Sequence, residues 1–253
     1  MSIYDQKHPT VDIVVLVFNN YKILPRFFKH IYSNTSKFNL IFVDNNSTDK
    51  SVEYIKLQQK KKNNINLIKN SSNLGVAAGR NIGAKNCNEE LIINLDTDQM
   101  VNFGWLQELV AIMEKGFDFV GVEGWVLNGP DHPILPYFPS KRLENPFRKA
   151  TYVGAGGCLM KKSVFERLGY YDEQFSKMYF EDPDLIFSAL KNGHKVAWNY
   201  KNKIVHLGKQ TKTNFQRQQQ FKQSYERFKK KWHPYLPPPI NMLYLSKFID
   251  QFG

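Results

Sequence analysis

The chain has 253 residues, of which 42% are hydrophobic, so it can form one sizeable α/β domain whose core needs no disulfide or structural metal. No apolar run approaches the roughly 20 residues of a membrane span, and the first residues lack a secretory signal pattern. We therefore expect a cytoplasmic protein with reduced Cys87 and Cys158, soluble or peripheral at the inner face of the membrane. The net charge of +12 favours an anionic partner, which leaves nucleic acid, anionic lipid and phosphorylated small molecules open.

Short apolar runs alternate with amphipathic stretches in the first half of the chain. The predicted strands are Val11–Phe18, Asn39–Asp44, Ile65–Lys69 and Leu91–Asp96, and the predicted helices are Ile23–Tyr32, Asp49–Gln59 and Gly75–Lys85. Ser47 and Asp49 are expected to cap the second helix. Apolar strands joined by crossover helices indicate a mainly parallel sheet covered on both faces, and such sheets bind ligands beyond the carboxyl ends of their strands.

The second half of the chain is less regular. It predicts a helix over Trp105–Glu114, a strand over Phe119–Leu127, a proline-rich loop over 128–149, a helix entered at Phe180–Asp184 and a strand over Lys203–His206. From about residue 213 the composition shifts to glutamine, lysine and aromatic residues. We predict a catalytic domain over 1–212, divided into a nucleotide-binding half (10–100) and an acceptor half (101–212), and a basic amphipathic extension over 213–253.

Two aspartates follow the fourth predicted strand. Asp96 and Asp98 are separated by Thr97, so both can present carboxylate oxygens to one hard cation, for which Mn²⁺ or Mg²⁺ is suited. Such a cation neutralises a diphosphate and stabilises it as a leaving group. An isolated Asp-X-Asp often only begins a solvated loop, but its position after a buried strand favours the metal site.

Polar residues also follow the second and third predicted strands. Asp44 opens a polar turn that includes Asn46 and is the candidate to bind a nucleobase, although this turn could serve only to cap the next helix. Gly75 begins the following crossover, in which Arg80 could bind a phosphate through two parallel hydrogen bonds. Arg80 could equally be a surface cation.

A second acidic cluster, Glu181 and Asp182, is expected at a helix start, with Pro183 in its first turn. Acidic residues are favoured there by the helix dipole alone. Transfer of a group to a hydroxyl nevertheless needs a carboxylate that accepts the proton, and this cluster can supply it. His206 ends the last strand and could complete the metal site, and Lys209 beyond it could bind a phosphate.

In motif order the chain resembles glycosyltransferase family 2, especially its rhamnosyltransferase-like branch, over roughly residues 10–210. The segments that carry the resemblance are VDIVVLVFNN, IFVDNNSTDKS, NLGVAAGRNIG, LDTD, GAGGCLMKKSVFERLGYYDEQF, YFEDPDL and IVHLG. The resemblance implies a GT-A fold and an inverting single displacement from a UDP- or dTDP-sugar to a hydroxyl of a glycan or lipid-linked glycan. It implies that Asp44 contacts the base, Asp96 and Asp98 hold the metal diphosphate, and Asp182 is the general base. Phe18, Asn19, Asn46, Gly75 and Thr97 fall in the donor-binding motifs, and His206 resembles a late metal-ligand histidine.

Four aromatic residues of the extension, Phe221, Tyr225, Phe228 and Trp232, share one face of a predicted helix. This face could pack on the catalytic domain, or it could lie on an anionic membrane and bring the enzyme to a lipid-linked acceptor. We favour packing on the domain.

Two other functions remain to be weighed. A sugar-phosphate nucleotidyltransferase would need a glycine-rich basic loop after the first strand, where this chain has Phe18 and Asn19. A nucleic-acid binder would need basic and aromatic residues interleaved on an exposed face, but most aromatic residues here fall in predicted core elements. We therefore expect no nucleic-acid partner.

Overall fold

A computed structural model describes residues 8–125, 152–175, 178–199, 203–208 and 215–232. The strands are β1 Val11–Val17, β2 Phe38–Asp44, β3 Ile65–Lys69, β4 Leu91–Asn94, β5 Gln99–Val101, β6 Phe119–Gly121, β7 Gly124–Trp125, β8 Tyr152–Val153, β9 Cys158–Lys161, β10 Val196–Trp198 and β11 Ile204–His206. The helices are α1 Leu24–Asn34, α2 Ser51–Gln59, α3 Val76–Lys85, α4 Trp105–Met113, α5 Lys162–Arg167, α6 Glu181–Lys191 and α7 Phe215–Trp232.

Seven strands form the central sheet in the order β10-β6-β9-β4-β1-β2-β3. Strand β9 runs antiparallel to both of its neighbours, β4 and β6, and the other pairs are parallel. Two small antiparallel pairs, β5 with β11 and β7 with β8, lie outside this sheet. The predicted α/β class with a mainly parallel sheet is therefore confirmed.

The sheet has a hydrophobic core on each face, as expected when strands alternate their side chains between two covered faces. In β1, Ile13 and Val15 are fully buried in one core, whereas Val14 points into the other. Cys87 and Cys158 are both buried and free, so neither takes part in a disulfide.

Several predicted boundaries differ from the structure. The predicted strand Phe119–Leu127 is divided into β6 and β7, because the chain leaves the central sheet after Gly121 and pairs next with β8. Ser47 does not cap α2: its hydroxyl accepts a hydrogen bond from the Asn19 amide, while the Asp49 carboxylate accepts one from Ser51 at the helix start. The predicted loop over 128–149 lies outside the described residues.

Helix α7 packs on the hydrophobic core of the domain through its aromatic face. Tyr225, Phe228 and Trp232 are at most 5% exposed and belong to the same core as Phe187 of α6. The packed interpretation of this face is therefore confirmed, and the apolar face is not available to a membrane. Among the helices within the described residues, none is long and apolar enough to cross a bilayer.

Candidate active site

A cavity of about 440 Å³ opens beyond the carboxyl ends of the central strands. This is the edge at which parallel sheets bind their ligands, and the volume falls in the range of small-molecule sites. Asp96, two residues after β4, and Asp182, in the first turn of α6, both line it. His206 and Arg80 line the same cavity, so the structure brings together most of the residues predicted for chemistry.

The predicted metal ligands Asp96, Asp98 and His206 form one group. Each offers one ligand atom, and these atoms lie within 4.8 Å of one another. Pairing of β11 with β5 sets His206 opposite Gln99, which brings its imidazole Nε2 within 3.3 Å of Asp98 Oδ1. Hydrogen bonds to Asp98 and Glu123 raise the pKa of His206 to about 10, because the imidazole is surrounded by negatively charged carboxylates.

Gln99 and Gly156 support the position of Asp96. The Gln99 side chain accepts a hydrogen bond from the Asp96 amide at 2.9 Å and donates one to the Gly156 carbonyl at 3.0 Å. A Cβ atom added at Gly156 would lie 2.4 Å from Asp96 Oδ2, a distance that nonbonded atoms do not adopt. The carboxylate therefore occupies space that only a glycine leaves open.

Arg80 is buried between the two acidic groups of the site. Its guanidinium lies 2.9 Å from Asp96 Oδ1 and 3.6 Å from Glu181 Oε1. Burial acts to lower the pKa of Arg80, but Asp96 and the other acidic neighbours hold it above its ordinary value, so the side chain stays charged. The alternative that Arg80 is a surface cation is therefore wrong, since only 7% of the residue is exposed.

Helix α6 presents Glu181 and Asp182 to the cavity from its first turn. The preceding residues Tyr179 and Phe180 have φ values of 79° and 68°, in the left-handed region, where non-glycine residues are uncommon and often mark functional sites. Asp182 Oδ2 lies 3.4 Å from the Ala155 amide nitrogen, which donates to it. Asp184, by contrast, binds α7 through Lys231 and the Trp232 indole.

Both cavity carboxylates of α6 are protonated more readily than usual. Burial, with a further contribution from Asp182, raises the pKa of Glu181 to about 7. Burial also raises the pKa of Asp182, against the opposing effect of Arg80. Within the described residues, Glu181 Oε2 is buried without a hydrogen-bond partner. A buried polar atom of this kind is rare in folded proteins.

Apart from Arg80 and Asp96, the residues predicted to bind the nucleotide that fall within the described part of the chain are not on the wall of this cavity. Phe18 is 46% exposed directly after β1. Asn19 links the first two strand ends, because its side-chain oxygen accepts a hydrogen bond from the Thr48 amide. The buried Asp44 carboxylate accepts a hydrogen bond from the Ser47 amide.

The other predicted donor-binding residues are spread over three segments. Asn46 is exposed in the same turn as Asp44, and Gly75 lies at the start of α3. Thr97 is buried between the two aspartates, and Lys209 lies outside the described residues.

Sequence reasoning missed several cavity residues. Glu123 and Trp125 fall inside the single strand predicted over Phe119–Leu127, so the sequence did not place them beyond a strand end, where the structure has them after β6. Tyr152, Tyr179 and Phe221 also line the cavity. Tyr179 begins the motif YFEDPDL and Phe221 belongs to the predicted aromatic face, but neither pattern indicated a position in the site.

The sequence of the chain matches the family model of glycosyl transferase family 2 over residues 12–169. The chain is 31% identical over 158 residues to an undecaprenyl-phosphate 4-deoxy-4-formamido-L-arabinose transferase of Photorhabdus laumondii, covering 60% of this chain and 48% of that protein. It is 23% identical over 208 residues to a low-salt glycan biosynthesis hexosyltransferase of Haloferax volcanii, covering 74% and 64%. The chain thus spans about half to two thirds of the length of these relatives.

Solved structures with a similar fold include a mannosyltransferase of Pyrobaculum calidifontis in complex with GDP-Man and Mn²⁺. The TM-score is 0.70 at 16% identity, and the match covers 98% of this chain and 70% of that one. Residues 1–349 of S. aureus TarS in complex with UDP-GlcNAc give a TM-score of 0.62 at 16% identity, covering 81% and 60%. These likenesses establish the GT-A fold. Since the family model matches more than half of its residues, the chain belongs to glycosyltransferase family 2.

Proposed function

We propose that the protein is an inverting glycosyltransferase that moves a sugar from a UDP- or dTDP-sugar to a hydroxyl of a glycan or lipid-linked glycan. The observation that supports this most strongly is that Asp96 and Asp182, from opposite halves of the chain, line one cavity. Both the metal site and the base that such a transfer requires then face the same space.

The side chains of Asp96, Asp98 and His206 fit Mn²⁺ or Mg²⁺. Two carboxylates and an imidazole suit Mn²⁺, and Mg²⁺ accepts the carboxylates together with water and phosphate oxygens. Their spacing of at most 4.8 Å is close to the separation of up to about 4.2 Å between ligands of one octahedral ion. A divalent cation held there would neutralise the donor diphosphate and stabilise it as a leaving group.

Asp182 is the proposed general base. The acceptor oxygen attacks the anomeric carbon, its proton passes to the Asp182 carboxylate, and the bond from that carbon to the diphosphate breaks with the electron pair leaving on the nucleotide. A single displacement of this kind inverts the anomeric configuration. Glu181, buried beside Asp182, is the second proposed catalytic carboxylate.

Donor binding is assigned to residues beside the cavity, together with Arg80 in its wall. Asp44 and Asn46 would contact the base or ribose, and Phe18 with Asn19 would border the base. Arg80, Thr97, Gly75 and Lys209 would contact the diphosphate side of the donor. The neighbouring structures in complex with GDP-Man and UDP-GlcNAc support a nucleotide sugar as donor.

A hydroxyl acceptor suits this cavity better than a phosphate acceptor. The name of the Photorhabdus relative gives undecaprenyl phosphate as its acceptor. In this chain, Asp96, Glu123, Glu181 and Asp182 line the cavity, and Arg80 pairs with two of them. Further negative charge on the acceptor would be repelled, whereas a neutral hydroxyl can donate its proton to a carboxylate.

The test combines nucleotide-sugar turnover with a variant of the base. The wild-type protein, incubated with Mn²⁺ and a panel of nucleotide sugars, should slowly release nucleoside diphosphate. Asp182→Asn should reduce transfer by about 10²-fold or more while the Kd for UDP with Mn²⁺ changes less than about twofold. Loss of nucleotide binding in this variant would assign Asp182 to the donor site and overturn its role as the base.

Asp118→Asn is the matched control. Asp118 is also a partly buried aspartate, but it lies directly before β6, at the end of that strand far from the cavity. It pairs with Lys161 at 2.7 Å. This variant should keep both UDP binding and transfer. Release of pyrophosphate instead of nucleoside diphosphate would indicate the alternative nucleotidyltransferase, and no turnover of any nucleotide sugar would refute the proposed activity.

A further inference from the structure

Helix α7 lies beyond the segment that the family model matches, yet it reaches the cavity. The match ends at residue 169, and α7 covers Phe215–Trp232. Phe221 of α7 lines the cavity together with Asp182. The helix therefore contributes directly to the site and does not only cover the core.

Phe221 forms part of an aromatic wall next to the proposed base. Its ring centroid lies 5.3 Å from that of Tyr179, with the rings nearly perpendicular at 71°. It lies at the same distance from Phe180, the residue before Glu181. Trp125 and Tyr152 line the same cavity. Aromatic faces and carboxylates are thus combined within one small space.

The left-handed backbone at Tyr179 and Phe180 produces this arrangement. It turns Phe180 toward α7, where its ring packs against Tyr225 and Phe228. The next two residues, Glu181 and Asp182, then start α6 at the cavity. Strain of this kind is retained when the surrounding packing compensates for it, and here the aromatic face of α7 supplies that packing.

Building on the proposed function, we propose that α7 forms the acceptor end of the cavity, with Phe221 and Tyr179 as a platform for a pyranose ring of a glycan acceptor. The C–H face of a sugar ring is apolar and can pack on aromatic side chains, while its hydroxyl groups need polar partners at the rim. Asp182 provides the partner for the reacting hydroxyl. Glu181, which also lines the cavity, provides one for a neighbouring hydroxyl.

A polyprenyl chain fits the same space poorly. It would pack on the aromatic wall but would offer no hydrogen bond to Glu181, which is 6% exposed and lines the same cavity. Covering this carboxylate with an apolar chain that offers it no hydrogen bond is costly. In a lipid-linked acceptor, the sugar and not the lipid would therefore occupy this end of the cavity.

Saturation-transfer NMR on the whole protein tests the proposal. The probe is a mixture of methyl pyranosides, recorded with UDP and Mg²⁺. The wild type should transfer saturation to ring protons of at least one pyranoside, and Phe221→Ala should bind that pyranoside about tenfold or more weakly with the same Kd for UDP. If Phe221→Ala is poorly folded, Phe221→Leu takes its place in the test. Leucine keeps apolar volume without the aromatic ring, and this variant should show the same loss of pyranoside binding. Phe103→Leu, at a phenylalanine that is 63% exposed, is the matched control and should bind like the wild type.

The outcomes separate this proposal from the proposed function. Unchanged pyranoside binding in both Phe221 variants would overturn the role of Phe221 as a platform for the sugar ring. The proposal would also be overturned if the wild type binds no pyranoside but transfers sugar to undecaprenyl phosphate. A wild type that binds pyranosides through Phe221 but neither binds nor turns over any nucleotide would support the platform and overturn the glycosyltransferase mechanism.

Discussion

Substitution of Gly156 by alanine should weaken metal binding although it replaces none of the proposed metal ligands. The added Cβ would lie 2.4 Å from Asp96 Oδ2, and 3.0 and 3.1 Å from the two polar atoms of the Gln99 side chain. To restore an ordinary contact, the Asp96 carboxylate must retreat by about 1 Å. Metal sites tolerate displacements of only about 0.2 Å in ligand distance. Asp96 is also held by Arg80 at 2.9 Å, so it cannot move freely.

We expect the Kd for Mn²⁺ in the presence of UDP to rise about 10- to 100-fold, as is typical when the support of a metal ligand is lost. This corresponds to about 1.4 to 3 kcal/mol and can be measured by titration calorimetry. Gly154→Ala is the matched control from the same turn: its Cβ would lie 3.1 Å from Trp125 Nε1 and 4.0 Å from Asp182 Oδ2, away from the metal ligands. If Gly156→Ala, folded as judged by its Tm, binds Mn²⁺ like the wild type, Asp96 is not a ligand held in place by this turn.

Two further predictions concern the buried acids of α6. Because the folded-state pKa of Glu181 is raised from 4.5 to about 7, its contribution to stability is fully present below about pH 4.5 and is lost as the pH rises to about 7. Glu181→Gln should therefore gain up to about 3 kcal/mol relative to the wild type between pH 5 and pH 8 in EDTA, and an equal difference at both pH values would contradict the assignment. Trp232→Phe removes the indole N–H that donates to the buried Asp184 at 2.8 Å, which should cost about 1–3 kcal/mol and lower Tm by roughly 3–8 °C in calorimetry. An unchanged Tm would show that Lys231 alone satisfies Asp184.

The first half of the fold could be predicted closely because each apolar run there is a strand of one parallel sheet. Strand β2 ends at Asp44 as predicted, and Asp96 lies two residues past the end of β4. A parallel sheet brings the carboxyl ends of its strands to one edge, so position in the sequence alone indicated which side chains share the site. His206 could be joined to Asp96 and Asp98 because it ends a predicted strand, but that strand, β11, lies outside the parallel sheet. Its antiparallel pairing with β5 brings His206 to the two aspartates.

The rest of the site depends on contacts that no local pattern encodes. Arg80 lies in a helix whose sequence allows either a phosphate ligand or a surface cation, and only the packing of α3 shows that it lies between Asp96 and Glu181. The aromatic stripe of α7 predicted a buried face but not which of its residues reaches the cavity. Periodicity identifies the face of a helix, whereas the tertiary fold determines what lies opposite each of its turns.

The turn 154–157 shows how the two halves of the site are connected. Strand β9 runs antiparallel between β4 and β6, so the turn that precedes it lies where β4 ends, and the Gly157 amide donates to the Asn94 carbonyl. Within this turn, Gly156 lies against Asp96 and the Ala155 amide donates to Asp182. One backbone segment therefore touches both a proposed metal ligand and the proposed base. A side chain larger than hydrogen at position 156 would move Asp96, and a shift of residue 155 would move Asp182. Small residues in this turn therefore set the distance between the two carboxylates. In the proposed mechanism, that distance determines the space for the anomeric carbon and its acceptor.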